Sequence, residues 1–370
     1  MASDAKASDA KAGDTTARDG KASDTKLGYQ PGLDGVRAMA VIAVIAAHSK
    51  IPGTGGGGFG VDIFFALSGF LITSLLVEEW QPRHRISFPN FYARRALRLL
   101  PALVAVVAVF GTIAAFTHGF EARRTVAGIA PSLLYITNWL SAFGHYFGGL
   151  EHTWSLAIEE QFYLLWPPIL FLLLRRGWPA ARLAKLLAIT AAVLIASRLV
   201  AMALGASAAA LYNAFPFRAD ALALGALAAF LPRPTLRRVA SYRHAIGALA
   251  VIAVMGLFPI IRVRTAIGTS LVAAATCVVI AHVLYGGETW LNTVFHNRAA
   301  VWTGRRSYGL YLWHWPIILF MQAETHLVRY PLAVAISFAA AAISARWIEF
   351  PFLRMKRRFG RTDAPAAVPL

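Results

Sequence analysis

The chain has 370 residues, 58% of them hydrophobic and 15% charged, with a formal net charge of +18. Soluble domains are nearer half apolar and a quarter charged, so this composition excludes an ordinary globular protein and points to the bilayer. In a soluble chain the positive charge would suggest nucleic acid. Here it collects in short connections between apolar stretches, so no nucleic-acid partner is expected.

Residues 1–27 are polar and repetitive, with Asp4, Asp9, Asp14, Asp19 and Asp24 five residues apart in a drifting K-A-S-D unit. That period suits neither a helix face nor a strand, and no apolar core of a signal peptide is visible; a disordered tail is expected. A membrane domain over 28–353 and a basic tail over 354–370 follow. Apolar stretches lie near 33–50, 58–79, 97–117, 153–174, 183–204, 210–231, 244–261, 267–285, 306–322 and 331–350. At about 1.5 Å per residue each is long enough to cross roughly 30 Å of hydrocarbon. An all-α integral membrane protein of about ten transmembrane helices is therefore expected.

The first stretch holds Arg37 and His48, eleven residues apart and so on one helix face about 16 Å apart. Ionisable residues inside spans are costly and mark function by default. His48 suits a general base on a hydroxyl, or a packing histidine bonded to a neighbouring carbonyl. The glycine-rich run Gly53–Gly60 lacks the G-K-[ST] ending of a phosphate loop and reads as a flexible turn. GVDIFFALSGFLIT follows with Asp62 and Ser68; without the flanking glycines of a nucleophile elbow, Ser68 makes a poor serine hydrolase.

Before the third stretch, FYARRALRLLP sets Arg94, Arg95 and Arg98 on one cationic surface. Such a cluster suits either the phosphates of a coenzyme or the anchoring of topology on anionic lipid. The weaker stretch 126–143 contains Pro131 and Asn138 and reads as a re-entrant segment. HTWSLAIEEQFYLLWP opens the next span with His152, Ser155, Glu159 and Glu160. Farther on come Arg198, then Arg218 with Asp220 as a first guess for a structural ion pair, although i,i+2 residues do not face each other. The lone cysteine, Cys277, excludes an internal disulfide and a cysteine-based metal site. SYGLYLWHWPIIL places Tyr311 and His314 at i,i+3, and RWIEFP closes the last span with Arg346 and Glu349. No zinc-helix or nucleotide-loop motif is present, and no metal is expected.

With ten crossings, alternate connections and the C-terminal tail hold twenty-one basic residues on one side against six on the other. An eleventh crossing would destroy that asymmetry, so both termini are expected in the cytoplasm.

LDGVRAMAVIAVIAAHS, GVDIFFALSGFLIT, NFYARRALRLLP, WSLAIEEQFYLLWP, SYGLYLWHWP and WIEFP occur in the order found in the membrane acyltransferase-3 family. The chain resembles that family from about Leu33 to Phe352, in particular its bacterial O-acetyltransferases and macrolide O-acyltransferases. The resemblance implies a ten-helix fold in the bacterial cytoplasmic (inner) membrane, with an acyl-CoA donor, acetyl-CoA foremost, approached from the cytoplasm. It also implies an acceptor hydroxyl on a carbohydrate or glycosylated molecule. The family's basic residue and histidine map onto Arg37 and His48, its arginine motif onto Arg94, Arg95 and Arg98, and its S-L-x-x-E motif onto Ser155, Leu156 and Glu159. On this reading the arginines hold the coenzyme phosphates, and His48 is base or acyl carrier. Glu159, Asp62 and His314 orient it or the acceptor, with Ser155 and Tyr311 on the acceptor. Longer family members append an SGNH hydrolase-like domain that this sequence lacks, so the membrane domain is expected to suffice or to work with a separate protein. The competing expectation is a non-enzymatic transporter of lipid-linked sugars or small molecules, which also needs intramembrane charges around a cavity.

Overall fold

The computed structural model describes residues 28–49, 51, 54, 57–257, 264–321 and 326–359. The tail expected over 1–27 and the end of the basic tail, 360–370, lie outside the described residues. Ten principal helices follow in order: α1 Pro31–His48, α2 Gly60–Arg83, α3 Phe88–Phe116, α4 Thr153–Arg175, α5 Ala180–Ala203, α6 Ala219–Ala228, α7 Tyr242–Leu257, α8 Thr269–Tyr285, α9 Ser307–Phe320 and α10 His326–Ser344. No strand occurs among the described residues.

Among the described residues seven helical stretches are long and apolar enough to cross a bilayer: α1 to α5, Thr265–Tyr285 and Tyr330–Met355. The bent pair Arg233–Val239 and Tyr242–Leu257, at 69°, makes eight if it is one span. The protein is thus a multi-pass membrane protein, but the expected count of about ten does not emerge from helix length. Stretch 210–231 is broken into Ala208–Asn213, Phe215–Phe217 and α6, with Pro216 in the first positions of the middle turn. Stretch 306–322 becomes the 14-residue α9, about 21 Å long and short of the hydrocarbon thickness. Residues 126–143 form the short helices Ile129–Leu133 and Thr137–Ala142, neither long enough to cross. They are tied to the start of α4 by polar contacts. Ser132 and Thr137 meet Thr153, and the Gln161 amide donates to Asn138 at 2.8 Å and to the Tyr135 carbonyl at 3.0 Å.

Small residues let the central helices approach closely, as helix packing in lipid requires. In α2 and α6, Gly69 faces the Leu222 carbonyl and Gly225 faces the Ala66 carbonyl; a Cβ on either would overlap backbone. Gly225→Val should therefore destabilise the fold by about 2–3 kcal/mol, read as a lowered thermal midpoint in detergent; an unchanged midpoint would mean that this contact is dispensable. In the same way α1 lies on Trp290–His296 and Arg298–Arg305, with Gly35 against the Phe295 carbonyl and Gly304 against the Asp34 carbonyl. Val41, Val44 and Ile45 of α1 join Phe65 and Ile72 of α2, Leu103 of α3, Leu170 of α4 and Leu310 of α9 in one core. α10 ends in a π-helical turn, Ala345–Glu349, which turns Glu349 inward to accept from the Ser344 hydroxyl at 3.3 Å.

Candidate active site

His48 ends α1 and is half-buried, whereas His314, in the middle of α9, is fully buried. His48 Nδ1 lies 2.9 Å from His314 Nε2. His314 Nδ1 lies 2.7 Å from the Tyr311 carbonyl and 3.2 Å from that of Leu310. A carbonyl only accepts, so these partners assign the His314 proton to Nδ1 and make its Nε2 an acceptor when neutral. His48 Nδ1–H must then donate to it, which leaves the His48 lone pair on Nε2, ready to take a proton from a hydroxyl. The Trp315 ring packs against His48, 4.7 Å between centroids, and is held by its own N–H donating to the Gly148 carbonyl at 2.9 Å.

One turn back along α9, the Tyr311 hydroxyl donates to the His152 carbonyl at 3.0 Å and meets Ser155 Oγ at 2.6 Å. The His152 ring is buried 5.9 Å from His314 and 5.6 Å from Tyr311; neither of its nitrogens makes a well-formed hydrogen bond, and the Gly149 and Leu312 carbonyls face it. His152, Ser155, Glu159 and Tyr163 succeed one another at steps of three, four and four residues, a single stripe of α4. Glu159 accepts from the Ser68 hydroxyl of α2 at 3.0 Å and from the Tyr163 hydroxyl at 3.4 Å. The Tyr163 ring in turn carries the Arg95 guanidinium 3.8 Å from its centroid. Arg98 sits within electrostatic reach of Arg95 and Arg37. α1 and α4 run antiparallel, so the stripe leads from an arginine cluster at one end to the histidine pair at the other. Among the described residues no group of three or more His, Cys, Asp or Glu side chains is placed to hold a metal ion.

The structure thus brings His48 to His314 and Ser155 to Tyr311, and it lines Glu159 up with Arg95. Other expectations change partners. Arg94 leaves the cluster although it shares a helix face with Arg98 at i,i+4, because the Glu79 carboxylate at 3.2 Å and the Phe359 carbonyl at 2.8 Å engage its guanidinium. Arg37 donates to Asp34 at 2.9 Å, and Asp34 also accepts from Tyr29. The guessed Arg218–Asp220 pair does not form. Arg218 reaches Asp62 at 2.9 Å, and Asp220 pairs with Arg198 at 3.0 Å. Arg218 precedes the first turn of α6, so its side chain and that of Asp220 leave in different directions. Asp62, expected to orient His48 or the acceptor, is thereby engaged by an arginine. Sequence reasoning passed over Trp315, the Ser68–Glu159 bond and Tyr163. A polar Ser68 within the apolar run FFALSGF, and Tyr163 one turn beyond Glu159, were the available signals.

These features define a class: a helical multi-pass membrane protein with a histidine pair linked by a polar stripe to a cluster of arginines. The chain belongs to the acyltransferase-3 family, whose model, described as "Acyltransferase domain", matches residues 30–348. It is 33% identical over 349 residues to "Putative O-acetyltransferase SAS0844" of Staphylococcus aureus (strain MSSA476), covering 88% of this chain and 58% of that protein. It is 32% identical over 349 residues to "Peptidoglycan O-acetyltransferase OatA" of Listeria monocytogenes, covering 87% and 56%. It is 31% identical over 348 residues to "O-acetyltransferase OatA" of Staphylococcus aureus (strain NCTC 8325), covering 87% and 57%. The chain therefore spans somewhat over half the length of these relatives. No solved structure matches it.

Proposed function

We propose that the protein is an O-acyltransferase that moves an acyl group, acetyl foremost, from acyl-CoA to a hydroxyl of a carbohydrate or glycosylated acceptor. The observation that carries this is the 2.9 Å contact of His48 with a His314 whose other nitrogen is committed to a carbonyl. That contact points the basic nitrogen of His48 away from its buried partner. The acceptor hydroxyl loses its proton to His48 Nε2, its oxygen attacks the thioester carbonyl, and the C–S bond breaks to leave coenzyme A thiolate, which takes the proton back from His48. A variant in which His48 first accepts the acyl group uses the same geometry. Ser155 and Tyr311 line the acceptor side, and Glu159, held by Ser68, joins the histidines to the arginines.

Arg95 and Arg98, with Arg37 beside them, receive the coenzyme phosphates; Arg94, spent on Glu79, serves structure. On this reading the arginine end and both termini face the cytoplasm of a bacterial inner membrane, an orientation that the bias of basic residues supports. Peptidoglycan, named for the Listeria relative, represents the acceptor class.

The test is free CoA release from acetyl-CoA by the purified protein, with and without soluble glycan fragments. Release supports the assignment. Neither release nor acetyl-CoA binding would overturn it in favour of a carrier that moves substrate without chemistry. Within this reading, Arg95→Ala and Arg98→Ala should each raise KM for acetyl-CoA about tenfold or more, since a charge-assisted contact is worth about 1.5–3 kcal/mol. Arg123→Ala, an exposed arginine beyond the other end of α3, should leave KM unchanged. Equal effects at all three would reduce the cluster to a topology signal.

A further inference from the structure

Outside the polar stripe, a cavity of about 690 Å³ opens where α2 and α4 end, lined by Trp80, His84, Arg85, Phe171, Arg175 and Trp178 among others. Its volume is that of a small-molecule site. Trp80 and Phe171 meet edge to face at 5.7 Å, and Trp178, half-buried, stands under the Arg182 guanidinium at 5.4 Å. Arg85 and Arg175 are exposed at its rim, and among the described residues neither they nor Arg182 is ion-paired. The turns on either side take left-handed backbone, at His84 (φ 49°) and Gly177 (φ 71°). The first is uncommon for a residue other than glycine, and such strain is held where surrounding structure fixes it. Aromatic faces beside unpaired guanidinium groups, with no carboxylate among the described residues that line the cavity, make a place for a flat, electron-rich ring that carries phosphate.

The position of the cavity is as informative as its lining. Phe171 touches Phe88, the first residue of α3, at 5.5 Å. Arg95 follows seven residues later on that helix, about 10 Å along its axis. From Arg37, within electrostatic reach of Arg98, His48 lies a further ~16 Å along α1. Cavity, arginine cluster and histidine pair therefore stand in sequence along one path.

We infer that the groove between the ends of α2 and α4 is the site for the adenosine 3′-phosphate end of the acyl donor, with adenine on the Trp80, Phe171 and Trp178 rings and phosphate on Arg85 and Arg175. This rests on the acyl-CoA reading above and extends it to residues outside the family motifs.

Equilibrium binding of coenzyme A and of 4′-phosphopantetheine, which lacks the adenosine end, to the full-length protein in detergent tests it. Wild type should bind coenzyme A about tenfold or more tightly than the truncated probe. Trp178→Ala and Arg175→Ala should each remove most of that advantage while leaving affinity for the truncated probe unchanged. Arg175 is exposed, so its variant does not threaten folding. Equal wild-type affinity for the two probes would overturn the inference and leave the donor assignment standing; no binding of either would overturn both. Unchanged coenzyme A affinity in both variants, with reduced binding to phosphatidylglycerol vesicles, would assign the groove to an anionic lipid headgroup instead.

Discussion

His48→Ala should lower kcat for acyl transfer by about 10²–10⁴-fold with little change in acyl-CoA affinity, the range that a positioned general base supplies. The second histidine makes this a test of mechanism and not only of essentiality. On the proposed mechanism His314 Nε2, 2.9 Å from His48 Nδ1, fixes the His48 tautomer and then stabilises the positive charge as His48 takes the acceptor's proton. His314→Phe fills the same space without an acceptor. It should lose most of the activity, and combined with His48→Ala it should cost no more than His48→Ala alone, because both remove one function. His314→Gln offers a carbonyl oxygen to His48 Nδ1–H and should restore part of the rate. A packing role for His314 makes the opposite forecast: Phe is tolerated better than Gln in the buried site, and the two losses add. Measuring kcat for the four variants decides between them.

The sequence already held the parts of this site that depend on helical spacing. Tyr311 and His314 lie at i,i+3 on α9 and point to one cluster; Ser155 and Glu159, at i,i+4 on α4, line one stripe. Which helix each face meets is a tertiary matter that spacing does not encode. The Ser155–Tyr311 and His48–His314 contacts join residues 156 and 266 positions apart and follow from the packing of α1, α4 and α9. The arginine run shows the same boundary. One helix turn carries Arg94, Arg95 and Arg98, yet Arg94 leaves toward Glu79 while Arg95 settles on Tyr163. Hydropathy likewise located every principal helix but overstated two of them. It averages side-chain character and ignores the backbone break at Pro216 and the early end of α9 at Phe320. The ion-pair guess failed for a related reason: adjacent charges in sequence suggested one pair, and the bundle made two by bringing α2 to Arg218 and α5 to Asp220.

The second of those pairs sets the largest stability effect expected in the molecule. Arg198 is fully buried in α5, and its donors are engaged by the Ala266 carbonyl at 3.1 Å, the Phe217 carbonyl at 2.6 Å, Asp220 at 3.0 Å and Ser270 Oγ at 2.6 Å. Ser270 also donates to the other Asp220 oxygen at 2.5 Å, so one charge-balanced network ties α5, α6, α8 and the turn preceding α8. Asp220→Ala leaves the guanidinium charge in place without its counter-ion and should destabilise the fold by about 3–5 kcal/mol, seen as loss of the monodisperse folded fraction in detergent. Removing both charges, as Arg198→Met with Asp220→Leu, should recover part of that loss because no uncompensated charge remains. Recovery stays incomplete, since the Phe217 and Ala266 carbonyls and the Ser270 hydroxyl lose their partners in the double variant. A double variant no more stable than Asp220→Ala would show that these hydrogen bonds, and not charge balance, hold the four segments together. A fully stable Asp220→Ala would mean that water reaches Arg198, and the network would lose its claim to set the spacing of α5 and α6 behind the site.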